Sequence, residues 1–281
     1  MEFCFYSGFN QMLQAQGLEE TARWAQEKGF CSVEFLQLSV ENWHAGVETP
    51  TQAKQVKQGL KNYGLTTACY SVGVNLLNGQ DAINRLKEQA VLAAELGSPY
   101  LHHTLIDSLV LPPESPSFDE VFDRILDAAS EVALYCQSLG LTCLYEEQGM
   151  YFNGVKNFGR FFNEIIKRCS NVGICGDFGN IFFADESPET FFKTFKSHIK
   201  HVHVKDFAQR SEIDGLPDQD CWLKTKGGSF LKDVPLGEGI IPIKACFQQL
   251  READYRGKFS LELVDPTVND GDAMRLCKTL F

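Results

Sequence analysis

The chain has little basic charge, no closely paired cysteines and no long apolar run. Its 281 residues carry a formal net charge of -11, which disfavours proteins that neutralise a nucleic-acid backbone with a broad basic face. The ten cysteines stand singly, without a C-x-x-C pair, and no signal peptide is recognised at "MEFCFYSGFN", so we interpret them as reduced thiols of a cytoplasmic protein. No window approaches about 18 uncharged apolar residues, so no transmembrane span is predicted. A small molecule is the expected partner, with no nucleic acid and no membrane.

Short apolar segments alternate with longer amphipathic segments along the chain, which is typical of strand and helix units on a parallel sheet. We predict eight strands: "EFCFYS", "CSVEFLQL", "LTTACYSV", "PYLHHTL", "LTCLYEE", "VGICGDF", "KHVHVKDF" and "KFSLELV". Seven helices are predicted, over residues 18–29, 51–64, 82–97, 118–140, 158–170, 187–198 and 242–257. Such units predict an α/β fold, a (β/α)8 TIM barrel that forms a single domain over residues 1–281. An open doubly wound sheet is the alternative, but "YSGFNQ" after the first strand lacks the G-x-G-x-x-G pattern.

The strands of such a barrel end at one rim, where active sites lie. The predicted strand ends carry acidic residues and histidines, which are Glu34, His102, His103, Glu146, Glu147, Asp177, His203 and Glu262. Four of them, Glu146, Asp177, His203 and Glu262, come from strands five to eight, one from each. Three carboxylates and one imidazole suit a hard or borderline ion better than a structural zinc site rich in Cys and His. We therefore expect one divalent metal ion at this rim, Mn, Co or Mg, with Zn as an alternative.

Side chains alternate between the two faces of a strand, and this decides between neighbouring candidates. Glu146 shares a face with Leu144 and is the expected ligand, whereas Glu147 is assigned to the surroundings of the site or to solvent. His203 is preferred to His201 because it lies nearer the end of strand seven. His201 is expected one layer deeper.

Other polar and aromatic residues around the rim are candidates for substrate binding. They are Glu34, His103, Asn180, Lys205, Trp222, Lys224 and Lys226. The long segment 208–236 after strand seven is either a lid or a variable surface excursion. Its lysines Lys224, Lys226 and Lys232 either hold a substrate phosphate, as the loops after barrel strands seven and eight often do, or form a solvated face. Trp222 either stacks on a sugar ring or anchors the segment.

Four segments of the second half resemble the xylose isomerase-like barrel superfamily: "LYEEQG", "GDFGN", "HVHVKD" and "VPLGEGIIPIKACFQQLREADYRGKFSLELV". That superfamily includes sugar isomerases, ketose 3-epimerases, hydroxypyruvate isomerase, inosose dehydratase and, more remotely, endonuclease IV. The resemblance covers nearly the whole chain in order. Many members have D-x-G-H on strand six, whereas this chain has Asp177, Gly179 and Asn180, a form most similar to the pentulose-5-phosphate 3-epimerase branch. A mechanism that needs a histidine at position 180 is therefore not expected.

The resemblance also implies roles for particular residues. It implies that Glu146, Asp177, His203 and Glu262 bind one divalent metal ion. It further implies that Glu146 and Glu262 are catalytic, exchanging protons with opposite faces of the sugar while they bind the metal. The metal would chelate the substrate's carbonyl and adjacent hydroxyl oxygens, which lowers the cost of an enediolate.

The sequence thus predicts a metal-dependent isomerase or epimerase acting on a sugar or sugar phosphate. A ketose 3-epimerase and an aldose-ketose isomerase share the enediolate, so both remain open. A lyase of the inosose dehydratase type is the alternative on the same metal site. An endonuclease IV-like phosphodiesterase is disfavoured, because that chemistry needs three metals, more histidines and a basic surface. The complete ligand set argues against a barrel that only binds a sugar, and homo-oligomerisation is left open.

Overall fold

The computed structural model describes residues 1–38, 45–108, 114–263 and 270–280. Eight parallel strands close into a barrel: β1 (Glu2–Phe5), β2 (Ser32–Gln37), β3 (Thr66–Val72), β4 (Tyr100–His103), β5 (Thr142–Tyr145), β6 (Val172–Asp177), β7 (Ile199–Val204) and β11 (Lys258–Leu261). Their order is β1-β11-β7-β6-β5-β4-β3-β2, and Phe3 of the first strand pairs with Phe259 of the last. The predicted (β/α)8 barrel is confirmed.

Eight helices lie in the described part of the chain: α1 (Phe9–Lys28), α2 (Pro50–Asn62), α3 (Gln80–Leu96), α4 (Phe118–Ser138), α5 (Val155–Arg168), α6 (Pro188–Phe195), α7 (Ile243–Glu252) and α8 (Asp270–Leu280). The prediction of seven helices misses α8. It also starts the first helix at residue 18, whereas α1 begins at Phe9 and is interrupted at Gly17, whose φ of 82° is not helical. In the part of the chain that the structure describes, no helix combines the length and apolar character needed to cross a membrane.

Local sequence sets where several helices begin and end. Thr49 and Gln52 form a capping box at the start of α2, with Pro50 in its first turn. α1 and α3 end at Gly29 and Gly97, both in the left-handed conformation that glycine adopts at low cost. These sharp ends return the chain to the barrel for the next strand.

The long segment after β7 is a small sheet. It contains β8 (Phe207–Arg210), β9 (Leu223–Lys224) and β10 (Phe230–Asp233), paired antiparallel in the order β8-β10-β9. The turn between β9 and β10 is held to the loop after β6, because Thr225 donates a hydrogen bond to Asp185 at 2.8 Å. The segment is therefore a folded extension of the barrel, attached at the rim where the barrel strands end.

The motif "PLGEGII" after β10 is organised by one carboxylate. Asp206 accepts backbone N–H groups from Gly237 and Gly239, each at 2.9 Å, and from Ile241 at 3.1 Å. A Cβ atom on Gly239 would lie 2.1 Å from an oxygen of Asp206, so only glycine fits there. The carboxylate thus fixes the path of the chain into α7.

Apolar side chains fill the layer between barrel and helices, but the inside of the barrel is polar. Glu34, Ser71, His201 and Ser260 are all buried. Most barrels of this kind fill their interior with Val, Ile and Leu. A buried polar interior needs internal partners, and these lie directly below the rim.

Candidate active site

Four predicted metal ligands meet at the rim although they are far apart in sequence. Glu146 follows β5, Asp177 ends β6, His203 lies on β7 and Glu262 follows β11. The register pairs Asp177 with His203, and the Glu262 N–H bonds the carbonyl of Val204 at 2.9 Å. The four residues each offer a ligand atom, and these atoms lie within 4.8 Å of one another. Barrel closure brings this set together, and we call it the rim cluster.

The imidazole of His203 lies between the two glutamates. Its Nδ1 is 3.0 Å from Oε1 of Glu146 and 3.3 Å from Oε2 of Glu262. The two carboxylates differ in exposure, because the side chain of Glu262 is 31% exposed and that of Glu146 is 2% exposed. Glu262 therefore faces the solvent side of the cluster and Glu146 the protein side.

Asp177 has one oxygen committed and one available. Its Oδ1 accepts the backbone N–H groups of Gly179 and Asn180, each at 2.7 Å. Its Oδ2 is buried and accepts no hydrogen bond from the described residues, although the Lys205 ammonium is 3.4 Å away. Lys205 also donates to Asn180 Oδ1 at 3.2 Å and lies 2.9 Å from Glu262 Oε1. An unsatisfied buried carboxylate oxygen is costly unless a further cation or donor takes it.

Burial and neighbouring charges set the protonation of the cluster. Burial raises the pKa of Glu146 and Glu262, but hydrogen bonds and charges from neighbouring groups outweigh it, so both values fall below the ordinary range. For Glu146 these groups are the imidazoles, and for Glu262 they are Lys205 and His203. Burial raises the pKa of Asp177 to about 7, with Glu146 and Glu262 adding to the rise and Lys205 opposing it. Burial lowers the pKa of His203, but its contacts with Cys175, Glu34 and Glu146 raise it well above its usual value.

These features fit a hard divalent cation. Three carboxylates and one imidazole converge, the unsatisfied Oδ2 of Asp177 is among them, and oxygen donors dominate. In the protein without metal, protons and the Lys205 ammonium balance the carboxylates. A cation would replace a proton on His203, as metal binding generally does.

Glu34 lies below the cluster and not at the end of its strand, where the sequence analysis counted it. β2 continues to Gln37, so Glu34 is in mid-strand. Its Oε1 is 3.0 Å from Nε2 of His203 and accepts from Ser71 at 2.5 Å. Its Oε2 is 2.8 Å from Nε2 of His201 and also accepts from Ser260. Glu34 therefore orients the ring of His203, as carboxylates behind metal-binding histidines do.

His103 also lies away from the rim cluster. Its ring packs edge-on against Tyr145 at 5.2 Å, between the barrel and the helices, and its Nδ1 contacts the Thr104 carbonyl at 2.9 Å. The neighbouring His102 faces the interior instead, with Nε2 3.5 Å from Glu146 Oε2. The two neighbouring rings thus point to opposite faces of β4, as alternation along a strand requires.

Two further residues at the cluster were missed. Tyr6 stacks on His203, with ring centroids 4.9 Å apart and an interplanar angle of 25°. Its signal was available, because it directly follows β1 and so lies at the same rim. Cys175 precedes Asp177 by two residues on β6, which puts the thiol on the same face and one layer deeper.

The predicted lysine group is divided among different neighbours. Lys226 donates to the Asn153 carbonyl at 2.7 Å, and Asn153 in turn donates to the Asn180 carbonyl at 2.9 Å. Lys224 is exposed, and its ammonium lies 6.0 Å from the Phe230 ring. The hairpin is thus linked to the rim through Lys226, while a phosphate-binding role for these lysines stays a prediction.

Trp222 is buried within the extension. The guanidinium of Arg210 and the ammonium of Lys232 lie 5.5 Å and 5.1 Å from its ring. Lys232 is also 2.7 Å from a carboxylate oxygen of Asp218. These contacts match the alternative in which Trp222 anchors the segment.

The family model described as xylose isomerase-like TIM barrel matches residues 22–280. The chain belongs to this family. Among solved structures of this fold, D-psicose 3-epimerase from Clostridium cellulolyticum H10, solved with D-tagatose, superposes with a TM-score of 0.74 at 14% identity, covering 100% of this chain and 99% of that chain. At that identity the likeness shows the xylose isomerase-like fold alone.

Two curated relatives of this xylose isomerase-like chain have different activities. Inosose dehydratase from Lacticaseibacillus casei is 23% identical over 201 residues, which are 70% of this chain and 65% of that protein. L-ribulose-5-phosphate 3-epimerase from Escherichia coli is 31% identical over 94 residues, 34% of this chain and 26% of that protein. The chain therefore spans less than two thirds of the length of either relative.

Proposed function

We propose that the protein is a divalent-metal-dependent isomerase or epimerase that removes a proton next to the carbonyl of a sugar or sugar phosphate. The observation that carries the proposal is the rim cluster, in which three carboxylates and one imidazole offer atoms within 4.8 Å of one another. Similarity to a ketose-phosphate 3-epimerase, 31% identical over 94 residues, supports the substrate class.

Glu146, Asp177, His203 and Glu262 would hold the metal ion. When bound, a divalent ion polarises carbonyl and hydroxyl oxygens and lowers the cost of negative charge that develops on them. Of the three carboxylates in the rim cluster, Asp177 is the one to which we assign no proton transfer. Glu34 keeps Nδ1 of His203 directed into the cluster by binding Nε2 of the same ring.

Glu146 and Glu262 are the proposed acid/base pair. Each has two oxygens in different surroundings: Glu146 faces His203 with one and His102 with the other. Glu262 faces His203 with one and Lys205 with the other. One oxygen can therefore bind the metal while the second exchanges a proton with the substrate. Because Glu262 lies on the solvent side and Glu146 on the protein side, the two carboxylates address opposite faces of a bound sugar.

Lys205 is the proposed donor to a substrate oxygen. It is buried, and burial lowers its pKa, but Asp177 and Glu262 raise the value well above its usual range. The group is thus a permanent ammonium that also contacts Asn180 Oδ1. A fixed ammonium beside the carboxylates stabilises charge that forms on substrate oxygens.

A dehydratase is the second candidate. The inosose dehydratase that matches 70% of this chain supports it. The same proton removal would be followed by loss of a β-hydroxyl group instead of return of the proton. The two candidates therefore differ in product and not in the first step.

The test uses the full chain, treated with EDTA and then supplied with Mn(II), Co(II) or Mg(II), and a panel of ketoses, ketose phosphates and inososes read by NMR. We expect no turnover in the folded metal-free protein and recovery with metal, because the barrel alone assembles the ligands. An epimer or isomer supports the first candidate, and a dehydrated keto product supports the second. Asp177→Asn should lose metal and turnover, whereas the matched variant Glu147→Gln should keep both. Full activity without metal would remove the proposal.

A further inference from the structure

A second group of candidate ligands lies one layer below the rim cluster and shares its histidine. His102, Cys175 and His203 each offer a ligand atom within 4.8 Å of the others, and all three are buried. Cys175 lies opposite His201 in the sheet register, one layer below the pair formed by Asp177 and His203. We call these three residues the sulfur group.

One nitrogen of the sulfur group makes no hydrogen bond with the described residues and has only a long contact with a carboxylate. His102 holds Ser71 through Nδ1 at 2.9 Å, but its Nε2 is buried and makes no hydrogen bond with the described residues. Glu146 Oε2 is 3.5 Å from this atom. A buried imidazole nitrogen that makes no hydrogen bond is costly, and a metal ion is one ligand that would satisfy it.

A third group of candidate ligands in the same barrel differs from the sulfur group in its hydrogen bonds. Glu34, His201 and His203 also lie within 4.8 Å of one another. However, both oxygens of Glu34 are already taken by the two imidazoles and by the hydroxyls of Ser71 and Ser260. That set is a closed hydrogen-bond network, whereas the sulfur group is open at His102 Nε2.

We propose that the sulfur group is a binding site for a soft divalent cation such as Zn²⁺ or Cd²⁺, held by His102, Cys175 and His203. Thiolate and imidazole ligands prefer such ions, whereas the oxygen-rich rim cluster prefers harder ones. The Cys175 thiol proton passes to solvent as the ion binds, so the sulfur enters as thiolate. The ion enters through the rim cluster, where Glu262 is partly exposed. Because Nε2 of His203 is held by Glu34, both sets depend on Nδ1, so a soft ion in the sulfur group displaces a hard ion from the rim cluster.

The test is a Cd²⁺ titration of the metal-free full chain, followed by the ultraviolet charge-transfer band of cadmium thiolate. We expect a saturable band in the wild type and none in Cys175→Ser. Cys69→Ser is the matched control, because Cys69 is a buried barrel thiol next to Cys175 but outside the group. It should keep the band. His102→Gln should weaken Cd²⁺ binding at least about 10-fold, the scale seen when even an outer partner of a metal ligand is lost.

Competition gives a second readout. Mn²⁺ bound to the wild type, followed by electron paramagnetic resonance, should be released as the cadmium band grows. A band that persists in Cys175→Ser, disappears equally in Cys69→Ser or is unchanged in His102→Gln would overturn the proposal. Circular dichroism checks that the variants fold, and cadmium NMR of the wild type distinguishes sulfur from oxygen ligands without any substitution. These readouts report metal binding, so they do not depend on the proposed isomerase activity.

Discussion

Two glutamates buried within the barrel wall should respond to the same substitution with very different losses of stability. Glu34 and Glu147 are both fully buried. Burial raises the pKa of Glu34, but His203 and His201 outweigh it and hold the value well below the ordinary range, so Glu34 is ionised. Burial, with the charges of Asp177 and Glu146, raises the pKa of Glu147 well above the ordinary range, so its neutral form is favoured.

Glu34→Gln replaces an acceptor of four contacts by an amide that has one acceptor oxygen and one donor nitrogen. Two of the contacts, those to His201 at 2.8 Å and His203 at 3.0 Å, are to imidazoles. Removing one partner of a buried charged pair costs about 3–5 kcal/mol, and we expect the free energy of unfolding to fall by that amount. We also expect Mn²⁺ affinity to fall about 10- to 100-fold, because His203 loses its support.

Glu147→Gln is the matched control. A neutral carboxyl and an amide have the same shape, and the amide oxygen can still accept the Asp177 N–H that Glu147 accepts at 3.2 Å. The loss should stay below about 1 kcal/mol, the net value of one ordinary hydrogen bond. Urea unfolding measures stability, and calorimetric titration measures Mn²⁺ binding. Equal losses in the two variants, or none in Glu34→Gln, would refute this assignment of charge.

Three further predictions concern single residues. Burial lowers the pKa of His103 from 6.5 to about 4, so its contribution to stability is fully present above pH 6.5 and is lost as the pH falls towards 4, by about 3 kcal/mol in all. The free energy of unfolding of His103→Asn should lack this pH-dependent component. The same pH dependence of unfolding in the wild type and in His103→Asn would contradict the prediction. Lys205→Met should keep Mn²⁺ but lower kcat/KM about 10²-fold, the usual scale for loss of one charge-stabilising donor; loss of metal in parallel would assign Lys205 a role in building the site instead. Lys224→Ala should raise KM for a ketose phosphate and leave a free ketose unchanged, and equal effects on both substrates would show a solvated lysine.

The sequence was enough to predict the barrel and to propose the rim cluster because both depend on local patterns. Each strand is a short apolar segment, and the residue at its end is fixed by where that segment stops. Glu146, Asp177, His203 and Glu262 stand at such points, and parallel strands bring their ends to one rim. No knowledge of the register was needed to group them.

The remaining features depend on where each strand stops and on which way it faces. The predicted second strand, "CSVEFLQL", already ran past Glu34, and β2 ends at Gln37, so Glu34 lies in mid-strand inside the barrel although it was counted among the strand ends. For His102 and His103 the alternation is visible in the sequence, but the inward face depends on pairing with β3 and β5. The sheet formed by β8, β9 and β10 was predicted only as a long loop, because β9 is two residues long and has no pattern of its own.

The central claim is that Glu146 and Glu262 exchange protons with the carbon next to a substrate carbonyl. It is tested most directly by NMR of a ketose substrate in D2O with Mn²⁺, comparing the wild type with Glu146→Gln and Glu262→Gln. We predict that the wild type incorporates deuterium at that carbon as product forms. Each variant should retain some metal but lose turnover by roughly 10²-fold or more, the scale of general acid/base loss, while still exchanging deuterium through the remaining carboxylate. Conversion by the wild type without deuterium incorporation, or unchanged turnover in both variants, would contradict the claim.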